Sequence, residues 1–308
     1  MRVITQRSLG GPEVLEIEEV ERPVPGSGEV LVHVRAAGVN PADTKVRSGH
    51  VHLFGDPPFT VGHEFSGVVA EVGPATSGFQ PGDEVFGWAR PPHGSHAEYV
   101  LVPESSIVAK PRTIDHVHAA ALPIAGLTAL QALLAAEIRP GRRVLIHAAA
   151  GGVGHLAVQV AKARGAYVIG TARAANHATL RKLGADDLID YTTADFAELR
   201  GVHAVLDTIS GDYGPRSLAT LERDGVLIDV VGIGVDRTVV RRRAKAMGLR
   251  FVEFYLTPTA ADLLRLAELV DRGLLRPLVQ EAIPLTDAAR AHRISESGRV
   301  RGKLVLIP

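Results

Sequence analysis

The sequence predicts an α/β protein with a β-rich domain and a second domain built on a doubly wound parallel sheet. From Arg2 to about Arg112, short β-rich pieces are separated by Gly/Pro turns. From Asp115 onward, Ala/Leu-rich helical runs alternate with strands that look buried, a pattern typical of a parallel sheet. A length of 308 residues suits two domains.

Composition narrows the possible functions. Lys plus Arg and Asp plus Glu both number 34, so the formal net charge is zero and neither nucleic acid nor a membrane is expected as a partner. Cysteine is absent, which excludes disulfides, Cys-based zinc sites and a thiolate nucleophile. Redox chemistry would therefore need a bound cofactor. The N-terminus lacks the pattern of a signal peptide, so a cytoplasmic location is expected.

The β-rich region contains strand-like runs at Val30–Val34 and Gly67–Val72, which predict a small barrel or sandwich. The most apolar stretch follows it, from Ala119 to Ala136. Because Pro, Gly, Thr and Gln interrupt that stretch, a buried helix is the better interpretation than a membrane span.

The second region supplies the strands of the predicted sheet. They lie near Arg143–His147, Tyr167–Thr171, Asp187–Asp190, His203–Thr208, Gly225–Val231 and Arg250–Phe254. Six strands suit a complete Rossmann-type sheet. A helix is predicted near Ala260–Arg272, and the tail ends in a short apolar strand that the pattern alone would allow in either domain.

A glycine-rich turn follows the first of these strands. Gly152, Gly154 and Ala157 satisfy the G-x-G-x-x-G/A pattern between a strand and a helix. Glycines let the backbone approach a pyrophosphate, whose charge is stabilised at the helix N-terminus. Tight strand–helix packing is the alternative explanation of a lone glycine motif, but the six alternating strands favour dinucleotide binding.

The end of the second strand indicates which dinucleotide is bound. NAD-preferring sites carry Asp or Glu about 20 residues after the turn. Here the strand ends in Thr171 and Ala172, followed by Arg173, whose guanidinium can pair with a 2′-phosphate. NADPH is therefore the predicted cofactor, and a solvated surface charge is the alternative explanation of Arg173.

Several motifs together resemble the zinc-independent quinone oxidoreductases of the zeta-crystallin type, within the medium-chain dehydrogenase/reductase superfamily. They are Ala36–Asp43, Gly62–Val69, Pro81–Val85, Gly94–Tyr99, Leu122–Ala129 and the turn at Ala148–Gly154. The resemblance spans almost the whole chain. It implies a GroES-like substrate domain at residues 1–113 and 273–308, with Leu304–Ile307 as its last strand, and a Rossmann NADP-binding domain at 114–272.

The resemblance also bears on metal binding. Zinc-dependent members of the superfamily hold zinc through a Cys where Asn40 stands, the His at position 63 and a further Cys near Ile124. His63 with the neighbouring Glu64 does not supply three protein ligands, so no metal is expected. A set formed by His50, His52 and His63 is the rival possibility.

The family's cofactor contacts map onto named positions of this chain. They imply roles in binding NADP(H) for Asn40, Thr128, Gly151, Gly152, Val153, Gly154, Thr171, Arg173, Tyr191 and Gly232. Two positions depart from the family pattern. Lys45 stands where several quinone reductases have Tyr, and about His177 corresponds to a Lys that family members use near the 2′-phosphate.

These observations predict hydride transfer from NADPH to a quinone or an α,β-unsaturated carbonyl, with Asn40 and Lys45 as the candidate catalytic residues. Lys45, His52, His93 and His96 are all predicted on loops, where each could donate a proton or face solvent. Two alternatives stay open: an enoyl reductase acting on a carrier- or CoA-bound substrate, and a non-catalytic NADPH-binding structural protein. The family further implies a homodimer formed through Arg250–Phe254.

Overall fold

The computed structural model describes residues 1–52, 55–231 and 234–308. The strands are β1 (Arg2–Gln6), β2 (Glu16–Glu19), β3 (Glu29–Val39), β4 (Phe59–Thr60), β5 (Glu64–Val72), β6 (Glu84–Trp88), β7 (Tyr99–Pro103), β8 (Ile107–Ala109), β9 (Arg143–Ile146), β10 (Tyr167–Thr171), β11 (Asp187–Ile189), β12 (Val202–Asp207), β13 (Leu221–Asp229), β14 (Arg250–Glu253), β15 (Val279–Pro284) and β16 (Lys303–Ile307). The α-helices are α1 (Pro41–Ser48), α2 (His116–Ala120), α3 (Pro123–Ala135), α4 (Gly152–Ala163), α5 (His177–Lys182), α6 (Tyr213–Ser217), α7 (Thr238–Ala246), α8 (Ala260–Asp271) and α9 (Ala288–Glu296).

The chain forms two compact units. The first unit comprises Met1–Leu127, Pro258–Gly273 and Pro277–Pro308, and the second comprises Thr128–Thr257 and Leu274–Arg276. These units do not coincide with the predicted domain limits at residues 113 and 272, which stay a prediction. Helix α8 lies in the first unit, where Asp271 at its end accepts hydrogen bonds from the backbone N–H and hydroxyl of Thr113, both 3.2 Å long.

The first unit is built on antiparallel strands. Its larger sheet has the order β15-β16-β3-β5-β6-β8, with β7 also paired to β3, and a smaller sheet has the order β2-β1-β4. The C-terminal strand β16 lies antiparallel to β3, with Leu304 opposite Val39. The expectation that this strand belongs with the β-rich region is therefore confirmed. Buried side chains that include Val32, Phe65 and Leu306 form the core beside the larger sheet.

The second unit contains a parallel six-stranded sheet with the order β11-β10-β9-β12-β13-β14. All six predicted strands are present in it, and the Rossmann-type architecture is confirmed. One row of buried side chains runs across the sheet because the strands are in register: Ile169, Leu145, Val205 and Leu227 stand at the same level. The strand order reverses between β9 and β12, where ligands bind in such sheets.

Local sequence signals account for the helix starts. Pro41 occupies the first turn of α1, where a missing N–H costs nothing, and the Asp43 carboxylate accepts a hydrogen bond from the backbone N–H of Asn40. Helix α8 begins where the Thr259 hydroxyl accepts from Asp262 N–H, within the predicted range. Among the described residues, no helix combines the length and apolar character needed to span a membrane.

Candidate functional site

The glycine-rich turn joins β9 to α4 in the second unit. Ala148 in this turn has φ 44°, a left-handed conformation, and the N-cap residue Gly151 has an extended backbone. A Cβ atom at Gly154 would lie 2.2 Å from the carbonyl oxygen of Ala148, so only glycine allows the helix to start this close to the turn. The first backbone N–H groups of α4 follow a residue without a side chain, a geometry that fits a pyrophosphate.

Thr171, at the end of β10, holds this turn from inside the protein. Its carbonyl oxygen accepts from Ala149 N–H at 3.0 Å, and its hydroxyl oxygen accepts from Ala148 N–H at 3.3 Å. The same hydroxyl lies 3.2 Å from Nδ1 of His147, whose pKa is lowered to about 3, mainly by burial and further by the Arg216 charge. Thr171 is fully buried, so it supports the turn through its inward-facing side chain.

An exposed pair lies beyond the end of β10. The Arg173 side chain donates through Nε to the Tyr191 hydroxyl at 3.2 Å. The Asp190 carboxylate fixes the same loop, because it accepts from the backbone N–H of Ala174 at 2.9 Å. Nε2 of His177 lies 3.0 Å from the Ala172 carbonyl oxygen. A guanidinium whose Nε binds a tyrosine keeps its terminal N–H groups for an anion, which fits a 2′-phosphate.

Thr128 and Gly232 are two further residues predicted to bind the cofactor, and the structure describes only the first of them. Thr128 is buried within α3 and is the first residue of the second unit. Gly232 lies outside the described residues. Gly152 and Val153 form the first turn of α4, as the motif requires. The residues of the second unit therefore fit a dinucleotide, and their roles in binding it stay predictions.

In the first unit, the Asn40 side chain lies between two charged groups. Nδ2 donates to Glu64 Oε1 at 2.8 Å, and Oδ1 accepts from Lys303 Nζ at 2.5 Å. Lys303 and Glu64 also form an ion pair with a 2.6 Å separation, and both side chains are buried. Asn40 itself is 4% exposed, so protein groups determine how its amide is oriented.

A second buried contact joins Asp43 to His63. Asp43 Oδ1 lies 2.5 Å from His63 Nδ1, while Oδ2 accepts from the Asn40 N–H at 2.7 Å. Burial by itself would raise the pKa of Asp43. The nearby imidazoles, His63 above all, instead hold it well below its usual range. The carboxylate therefore stays charged and keeps His63 in one orientation.

The donor atoms in this region do not fit a catalytic zinc. The family resemblance places the Cys ligands of zinc-dependent members at Asn40 and near Ile124, and this chain has no Cys. The Glu64 carboxylate already accepts from Asn40, Lys303 and the Ile124 N–H, the last at 2.7 Å. Three protein ligands with an open position cannot be assembled from what is left. Within residues 1–52, 55–231 and 234–308, no group of three or more His, Cys, Asp or Glu residues could hold a metal ion, so His50, His52 and His63 do not form one.

Among the proton-donor candidates, the predicted loop position of Lys45 is wrong. Lys45 lies in α1, where its carbonyl oxygen accepts from the Ser48 hydroxyl at 3.2 Å. His96 lies in the irregular connection between β6 and β7, as predicted, but it is fully buried. Its backbone N–H donates to the Val61 carbonyl oxygen at 3.0 Å, and its Nε2 lies 3.3 Å from the Gly38 carbonyl oxygen. His52 and His93 are exposed, as expected.

Two residues of this region, Lys303 and Asp43, were not predicted from the sequence. Lys303 was part of an apolar strand, and nothing local indicates that its ammonium group turns inward. Asp43 could have been found, because Asn-Pro-x-Asp is a typical helix start that places the carboxylate three residues after the N-cap. Its contact with His63, twenty residues away in the sequence, forms only in the folded protein.

Comparison with known proteins supplies independent information. The family model described as "Alcohol dehydrogenase GroES-like domain" matches residues 26–112, and the one described as "Zinc-binding dehydrogenase" matches residues 183–306. The chain is 35% identical to 2-haloacrylate reductase from Burkholderia sp, over 97% of this chain and 96% of that protein.

Two solved structures resemble the whole chain. The quinone oxidoreductase from Coxiella burnetii is 39% identical, with a TM-score of 0.94 and coverage of 100% of this chain and 99% of that one. The Escherichia coli quinone oxidoreductase, solved in complex with NADPH, is 32% identical, with a TM-score of 0.90 and full coverage of both chains.

Proposed function

Because the chain belongs to the quinone oxidoreductase family of medium-chain dehydrogenases/reductases, we propose that it is an NADPH-dependent, metal-free reductase of quinones or α,β-unsaturated carbonyls. The main support for this proposal is the Asn40 amide, which stands in the place of a zinc-ligating Cys and is bound by Glu64 and Lys303. Without a metal to stabilise an alkoxide, the substrate has to delocalise its own negative charge, as quinones and enones do. Both classes are small molecules.

Residues of the second unit would bind the cofactor. The Gly151–Gly154 turn and the start of α4 would hold the pyrophosphate, and Arg173 with Tyr191 would bind the 2′-phosphate. Thr171 would support the turn, while Thr128 and Gly232 are proposed from the family pattern alone. When bound, NADPH supplies the hydride that reduces the acceptor. The NADPH in the Escherichia coli structure supports this choice of cofactor.

Residues of the first unit would serve the acceptor. A side-chain amide carries two N–H hydrogens, and the bond to Glu64 uses one of them. We propose that the other donates to the acceptor oxygen on which negative charge develops, and that Lys45 Nζ is the candidate donor of the final proton. The substrate named for 2-haloacrylate reductase is an α,β-unsaturated acid, which supports this class of acceptor.

We also propose that two copies of the chain form a homodimer through strand β14. Strand β14 lies at the end of the parallel sheet, where its outer backbone groups have no neighbouring strand among the described residues. Such an edge is commonly covered by another chain. The cytoplasmic location stays a prediction.

The first test is an assay of NADPH and NADH oxidation with a panel that contains a 1,4-quinone, an enone and 2-chloroacrylate, each with and without a chelator. We expect oxidation that prefers NADPH and is insensitive to the chelator. The acceptor with the highest kcat/KM would identify the substrate class. Binding of NADPH without oxidation by any acceptor would contradict the proposal and favour the structural role, and loss of activity with the chelator would contradict the metal-free mechanism.

A further inference from the structure

Lys303 and Glu64 form a buried ion pair beside Asn40. Lys303 is the first residue of β16, Glu64 is the first residue of β5, and these two strands flank β3 in the sheet. The side chains of Lys303 and Glu64 are 3% and 0% exposed. Asn40 follows the end of β3 directly, so the sheet topology places a cation and an anion on either side of one amide.

The hydrogen bonds specify one orientation of that amide. Lys303 Nζ lies 3.0 Å from the Val39 carbonyl oxygen, 2.5 Å from Asn40 Oδ1 and 2.6 Å from Glu64 Oε1, which uses all three ammonium hydrogens. Glu64 Oε1 also accepts from Asn40 Nδ2. A flipped amide would put its NH₂ group against the ammonium and its oxygen against the carboxylate, and both contacts would be repulsive.

The backbone leaves space for this arrangement. A Cβ atom at Gly38 would lie 2.3 Å from Glu64 Oε1 and 2.6 Å from the Ala120 carbonyl oxygen, so the carboxylate occupies the position where a side chain would otherwise lie. The N–H of Ile124 binds the second carboxylate oxygen at 2.7 Å. Every polar atom of the pair therefore has a partner in the structure.

A contribution to stability does not by itself explain why this ion pair is present, because a buried ion pair can often be replaced by apolar residues without lowering the free energy of unfolding. We propose that Lys303 and Glu64 are positioning residues, which hold the Asn40 amide so that its second Nδ2 hydrogen can point at the reacting acceptor. This inference rests on the proposed function. It assigns catalytic importance to a lysine on the last strand that never needs to touch substrate or cofactor.

The absence of cysteine permits a test that changes one charge. In K303C, the introduced thiol is the only one in the chain. Alkylating the unfolded variant with 2-bromoethylamine and refolding it restores a lysine-like ammonium group, whereas 1-bromopropane gives a side chain of the same length without charge. Circular dichroism of both products checks the fold. K110C, treated identically, is the matched control, since Lys110 is a buried lysine that binds Glu84 and the carbonyl oxygens of Pro111 and Ile114.

We expect the aminoethylated K303C to regain kcat to within about 3-fold of wild type, and the propylated form to lose about 100-fold, the usual effect of removing one oriented donor. The KM for NADPH should change by less than about 3-fold. The two forms of K110C should have equal kcat. Should neither K303C product refold, E64Q/K303M, which leaves no unpaired buried charge, is expected to show the same loss of kcat.

A second measurement reports orientation without turnover. Asn40 and Asn176 are the only asparagines, so a protein labelled with ¹⁵N in the asparagine side chain gives two pairs of NH₂ signals in an NMR spectrum, one pair for each residue. The Asn40 signal should differ between the aminoethylated and propylated proteins, while Asn176 stays unchanged. Equal kcat and an unchanged Asn40 signal in the two products would overturn the inference. If the Asn40 signal differs between the two K303C products while the wild-type protein reduces no acceptor, only the proposed function is contradicted.

Discussion

At the scale of single residues, the structure separates charges that are engaged inside the protein from those available to a ligand. Lys303, Glu64 and Asp43 bind protein groups at 2.5 to 2.8 Å and are buried. Arg173 is exposed, and within the described part of the chain its side chain donates through Nε to the Tyr191 hydroxyl. Arg173 is therefore the residue from which cofactor choice can be tested most directly.

We expect Arg173→Ala to raise the KM for NADPH roughly 10- to 100-fold, the value of a charge-assisted hydrogen bond to a phosphate. The KM for NADH should change by less than about 3-fold, because NADH lacks the 2′-phosphate. Steady-state kinetics with each cofactor measure both values. Arg181→Ala, an exposed arginine on α5, is the control and should alter neither KM. An equal rise for both cofactors would show that Arg173 binds something other than the 2′-phosphate.

At the scale of elements, the sequence predicted those structures whose residues lie close together along the chain. The β9–turn–α4 segment was predicted because its glycines, apolar strand and helical run lie within about 20 residues, as the motif requires. The network around Asn40 was not predicted, since residues 40, 64 and 303 meet only when β3, β5 and β16 pair. The loop position of His96 was predicted, but its complete burial was not, because nothing local indicates that its backbone N–H binds the Val61 carbonyl oxygen.

The glycine-rich turn offers a matched pair of variants. A Cβ at Gly154 would meet the Ala148 carbonyl oxygen at 2.2 Å, whereas one at Gly151 would lie 3.2 Å from the same atom, and φ −79° at Gly151 suits alanine. We expect Gly154→Ala to lower the free energy of unfolding by about 1–3 kcal/mol. Gly151→Ala should stay within about 1 kcal/mol, since reduced freedom of the unfolded chain offsets the tight contact.

Urea denaturation measures both values, and fluorescence titration measures the Kd for NADPH. Displacement of the start of α4 should also weaken NADPH binding in Gly154→Ala, because the helix N–H groups would no longer face the pyrophosphate. Equal stability of the two variants would mean that the turn adapts to a methyl group and that the close approach at Gly154 is not required.

At the scale of the whole molecule, each unit contains a buried, uncharged histidine. His147 in the second unit binds the Ser217 hydroxyl oxygen through Nε2 at 2.9 Å, and His292 in the first unit lies with Nδ1 3.5 Å from Arg47. Burial is the largest cause in both cases and lowers each pKa to about 3. An unfolded histidine titrates near about 6.5.

The sign of the pH dependence follows from these values. Between about pH 6.5 and pH 3, the unfolded chain binds a proton at each of these positions and the folded chain does not, so stability falls as the pH is lowered through this window. Each histidine should contribute a slope of about 1.4 kcal/mol per pH unit once its unfolded form is protonated. Above about pH 7 neither contributes to the slope.

We therefore expect His147→Gln and His292→Gln each to reduce the slope of unfolding free energy against pH by about one proton, or about 1.4 kcal/mol per pH unit. Urea denaturation at pH 7.5, 6.5, 5.5 and 4.5 would measure these slopes; His93→Gln, at an exposed position, is the control and should leave the slope unchanged. A variant can lose stability at every pH through its missing hydrogen bonds. The test therefore compares the slopes of unfolding free energy against pH and not the stabilities at a single pH. If the slope is the same in wild type and both variants, these histidines take up a proton in the folded protein, and the acid sensitivity of the molecule arises elsewhere.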